Sequence, residues 1–65
     1  MVKSSGMLDY CKTILTHVSF DARLFEKELR KALRMLFDTE VMELRDWCYA
    51  TFGTNFRPIL DTCFR

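Results

Sequence analysis

The sequence predicts an all-α fold, a small bundle of three antiparallel helices with a short fourth helix at the C-terminus. Three observations carry that prediction. Gly6, Gly53 and Pro58 are the only glycines and proline in 65 residues, and no β-hairpin turn signal occurs. Each long stretch repeats its apolar residues at the three- and four-residue spacing of a helix face. The breaks between stretches carry Asp21 and the pair Asp38–Thr39, residue types whose side chains accept free amides of a first turn.

The first helix is expected over residues 7–18. At about 100° per residue, Met7, Leu8, Cys11, Ile14, Leu15 and Val18 form one stripe with Tyr10 at its edge. Ser4 or Ser5 is the expected cap. The polar opening "MVKSSG" reads as a leader or tag remnant ahead of a single helical domain over residues 7–65, with Met7 as the natural start.

A second helix is expected over residues 22–37, capped by Asp21 and with Phe20 as a hydrophobic staple. Its inward arc is Ala22, Phe25, Leu29, Ala32, Leu33 and Leu36. The third helix restarts at "FDTE", with Asp38 or Thr39 as cap and Val41, Leu44, Cys48 and Phe52 inward. Gly53 is the expected left-handed stop. Pro58 then opens the short fourth helix, which returns Ile59, Leu60, Cys63 and Phe64 to the bundle. Connections of a few residues make consecutive helices roughly antiparallel neighbours.

Size and charge bound the function. A chain this short buries a modest fraction of its surface. Yet 49% of its residues are hydrophobic and 14% aromatic, enough for a dense core or for apolar surface kept for a partner. The formal net charge of +1 argues against a globally basic nucleic-acid binder. Any affinity for anions must therefore be local. An odd set of cysteines, Cys11, Cys48 and Cys63, with no paired spacing, fits a reducing cytoplasmic setting and inert thiols. No stretch approaches a membrane span.

One local feature stands out. Arg23, Lys27, Arg30, Lys31 and Arg34 supply five of the ten Lys and Arg residues. They fall within about 100° of one another, opposite the apolar arc of the second helix. Arg23–Lys27, Lys27–Lys31 and Arg30–Arg34 are like-charge neighbours, each costing a few tenths of a kcal/mol. Glu26–Arg30 and Glu28–Lys31 recover about as much. The clustering is tolerated rather than self-rewarding. An ordinary solvated face accounts for it, as does electrostatic steering by the acidic third helix; so does a surface for an anion or an acidic partner. The third helix is acidic where a helix-turn-helix domain would need a groove-reading helix, which argues against that mode of DNA binding.

Beside the stripe, Leu24 and Met35 lie well off the core centre, and on the third helix Trp47 lies off one edge of its apolar stripe. If exposed, they form an apolar patch rimmed by Lys31 and Glu28, the composition of a partner site.

Catalytic chemistry is not signalled. Cys11 and His17 do not share a helix face, Cys48 and Cys63 lack a C-x-x-C partner, and nothing in the spacing promises a nucleophile with a base in reach and a third group to orient it. The expectation is a non-catalytic interaction module or small accessory subunit, without cofactor, metal or small-molecule substrate. It docks on a protein partner or on itself through Leu24, Met35 and Trp47. The alternative is a binder of nucleic acid or another anionic polymer through Arg23, Lys27, Arg30, Lys31 and Arg34. No motif is specific enough to name a family.

Overall fold

The computed structural model describes residues 5–64 and places three helices and no strand among them: α1 (Ser5–His17), α2 (Ala22–Met35) and α3 (Asp38–Phe64). The all-α class follows directly. The first of the two turns is set by a side chain. Asp21 has extended backbone angles (φ −138°, ψ 111°), and its Oδ1 accepts from the Arg23 and Leu24 amides at 2.9 and 3.2 Å. Such a cap stabilises the helix by about 1 kcal/mol. Phe20 is 80% exposed, so the expected staple onto buried Phe25 does not form.

The second turn needs no glycine. α2 stops at Met35, two residues earlier than expected, because Leu36 turns extended (φ −97°, ψ 150°). Its amide still donates to the Ala32 carbonyl at 3.2 Å, and its side chain stays buried. The reversal thus keeps Leu36 in the core and leaves Phe37 78% exposed. Neither Asp38 nor Thr39 is the residue flanking α3. That position falls to Phe37, whose carbonyl accepts from the Val41 amide and whose own amide donates to Glu40 Oε1 at 3.0 Å. Glu40 supplies the carboxylate half of a capping box, without the hydroxyl half.

α3 corrects a further expectation. Gly53 has no left-handed backbone and does not end the helix, and the last of the three helices among the described residues joins two helical segments across a kink. The chain bends at Phe56 (φ −119°, ψ 21°), two residues before Pro58, and the segment expected as a separate fourth helix continues α3 beyond that kink. Proline weakens the helix here, because it offers no amide to the carbonyl four residues back. A glycine within a helix costs about 1 kcal/mol but forces no stop.

The core draws on all three helices: Leu8, Cys11 and Leu15 from α1, Phe25, Leu29 and Ala32 from α2, Leu44, Cys48, Phe52 and Leu60 from α3, with Leu36 in the turn. Its centre is aromatic. Phe25 meets Phe52 edge-on at 4.9 Å and stacks on Phe56 at 4.5 Å between ring centroids. The kink therefore delivers Phe56 onto α2. Ala22, placed inward by the helical wheel, is exposed at the start of α2. Ser4, a candidate cap, lies outside the described residues with the rest of residues 1–4, and Ser5 is already helical.

Candidate functional site

α2 runs unbroken from Ala22 to Met35, so its outer face is a continuous surface. Arg23, Lys27, Arg30, Lys31 and Arg34 are all exposed. Two of them are engaged along their own helix. Arg30 binds the Glu26 carboxylate through Nε at 3.2 Å and a terminal guanidinium nitrogen at 2.9 Å, and Lys31 Nζ stands 3.9 Å from Glu28. The Glu26 contact pushes the Arg30 pKa up. Arg23, Lys27 and Arg34 have no carboxylate within ion-pair distance among the described residues.

Among the described residues no ion pair crosses between helices. All four among the described residues lie within a single helix, the other two being Arg45–Asp46 at 3.4 Å and Arg57–Asp61 at 3.9 Å. The acids of α3 thus leave the cations of α2 unneutralised by direct contact. Exposed pairs of this kind contribute at most about 1 kcal/mol each.

An apolar groove of about 160 Å³ opens between α1 and α2, with Tyr10, Cys11 and Ile14 on one wall and Glu28, Lys31, Ala32 and Met35 on the other. Met35 is 46% exposed at its edge. Lys31 also borders a shallow depression with Lys27, Arg30 and Arg34, so apolar and cationic surfaces meet at that one side chain. Leu24, 38% exposed, lies outside the groove lining but continues the same helical row, one turn before Glu28.

Trp47 sits elsewhere. It packs on the core, edge-on to Phe52 at 5.3 Å, and its ring lies 5.7 Å below the Lys12 ammonium of α1. That contact is a cation–π pairing at the α1–α3 seam. The fold brings Met35 and Lys31 together in one groove and does not bring Trp47 to it.

Tyr10, Ile14 and Cys11 escaped sequence reasoning as groove residues. Tyr10 carried a faint signal at the edge of its stripe, but its position opposite Met35 requires two helices to be docked. A second such contact is the hydrogen bond from the Tyr49 hydroxyl to the Asp61 carboxylate, which ties the two sides of the α3 kink and raises the phenol pKa.

Cys11 and Cys48 lie in the core and Cys63 packs against it. Cys11 and Cys48 are buried and Cys63 is half-buried, and all three are free. Burial raises each pKa, that of Cys48 to about 12. Among the described residues no three His, Cys, Asp or Glu side chains are grouped to hold a metal ion. Nor, among them, is any helix long and apolar enough to cross a membrane. No known protein family, curated protein or solved structure matches this chain. The chain is a small all-α protein with a cationic helix face beside an apolar groove.

Proposed function

We propose that the chain is a non-catalytic interaction module or small accessory subunit, acting in the cytoplasm. It is read as an antiparallel helical bundle that docks a protein partner against α2. Leu24 and Met35 supply the apolar contact, the cations of α2 orient the partner, and Trp47 serves as a buttress at the α1–α3 seam. The observation that supports this reading is the juxtaposition at Lys31. An open apolar groove there adjoins a helix face on which Arg23, Lys27 and Arg34 lack acidic partners among the described residues. Aromatic, methionine and arginine side chains are the usual anchors of such surfaces. The test is quantitative capture of a binding protein by the wild-type chain and by a Leu24→Asp, Met35→Asp double variant of unchanged helix content. Loss of binding of about a hundredfold is expected. Equal capture by both forms removes the patch from the mechanism.

A second reading is kept alive by the depression lined by Lys27, Arg30, Lys31 and Arg34 alone. Such a surface suits an anionic polymer, held by counterion release and hence steeply sensitive to salt. Retention of single- or double-stranded nucleic acid that survives Arg30→Glu with Arg34→Glu excludes this reading.

A further inference from the structure

We infer that the partner seated on α2 is a second copy of this chain, with the cationic outer face of α2 laid on the acidic outer face of the first half of α3. The inference rests on reading α2 as the docking face. Within residues 22–36 five cations oppose two acids, a balance of +3; within residues 38–46 four acids oppose Arg45, a balance of −3. The two segments carry equal and opposite net charge, and no ion pair joins them inside one molecule among the described residues.

The acidic face has its own apolar centre. Met42 is 59% exposed, and Glu43 and Asp46 beside it are exposed as well. At about 100° per residue, these three share the side of α3 opposite Leu44 and Cys48. Met42 therefore stands to this face as Leu24 and Met35 stand to the cationic one.

Symmetry lets the match close. α2 and α3 are neighbours in contact, so a two-fold axis beside them sets each α2 on the other molecule's α3. The same pair of faces is then used twice and nothing is left open for further growth. A stripe of like charges that adds nothing to helix stability gains a role in choosing the partner's register.

Sedimentation equilibrium of the full chain tests this with two charge-reversed variants, Lys27→Glu/Arg34→Glu and Glu43→Lys/Asp46→Lys. Wild-type protein is expected to dimerise, with a dissociation constant that rises at least about tenfold on going from low to high salt. Each variant alone is expected to be monomeric with unchanged helix content, because like charges then face each other at both contacts. An equimolar mixture of the two is expected to recover the dimer, since each α2 again meets an α3 of opposite sign. That recovery also excludes misfolding as the reason for the monomers.

A strictly monomeric wild type, dimeric single variants, or a mixture that stays monomeric each overturns the inference. A monomeric wild type that still binds a different protein, with binding lost on Leu24→Asp/Met35→Asp, overturns self-pairing while the interaction-module reading stands.

Discussion

On α2, Phe25, Leu29 and Ala32 are buried while Arg23, Lys27 and Arg34 face water; on the first half of α3, Leu44 and Cys48 are buried while Met42, Glu43 and Asp46 face water. The two helices are alike inside and opposite outside. Their inner faces are interchangeable in kind, since burial of apolar area is non-directional and cares little which helix supplies it. Their outer faces differ in sign, yet the ion pairs found on them run along each helix and none runs between them. The fold is thus held by what the helices share. What distinguishes them forms no ion pair between the two helices among the described residues.

If that division is right, damage inside should far outweigh damage outside. Phe25→Ala removes the ring that meets both Phe52 and Phe56. A loss of about 3–5 kcal/mol is expected in urea denaturation, most of the stability available to a chain this size. A loss below ~1 kcal/mol would mean that the aromatic centre is not what holds α2 to α3.

Alkaline titration probes the α3 side of the same core. Cys48 keeps its proton to about pH 12 when folded, against an ordinary value of 9.0. Above pH 9 the unfolded chain therefore binds fewer protons than the folded one, and stability must fall as pH rises from about 9 to 12. Cys48→Ala should flatten that decline in thermal melts across the window. Unchanged pH dependence in the variant would show that Cys48 is not sealed off in the folded chain.

Effects at the helix ends should be intermediate. Asp21→Ala leaves the Arg23 and Leu24 amides without their acceptor, at an expected cost of about 1 kcal/mol. Outer-face changes should be smallest. Glu26→Gln takes away the Arg30 ion pair at an expected ~0.3–0.5 kcal/mol. Lys27→Glu with Arg34→Glu should move monomer stability by less than about 0.5 kcal/mol in either direction, measured at a concentration too low for association. A change above 2 kcal/mol there would mean that the stripe serves the fold, and the contrast between the two helices would collapse.

Much of this was legible in the chain itself. The cap at Asp21 was readable because the side chain and the amides it binds are two and three residues apart. The Glu26–Arg30 and Glu28–Lys31 pairs were readable for the same reason. Phe25, Leu29 and Ala32 were placed inward by spacing alone. The departures from local pattern are of another kind. Glycine permits left-handed backbone at Gly53, but permission is not compulsion, and the chain passes through it as helix. Local spacing allows Phe20 to act as a staple, but nothing local forces its exposed ring down onto α2.

Helical class, the unbroken coil of α2 and the segregation of its oily and cationic sides were determined by the sequence alone, because each depends on interactions within about one turn. Only tertiary structure decided where α3 bends, that Leu36 turns extended yet stays buried, that Tyr10 and Met35 share a groove, and that Trp47 is spent on Lys12 and Phe52. Those outcomes depend on side chains far apart in the chain competing for one small interior, and helix periodicity carries no record of which competitor wins.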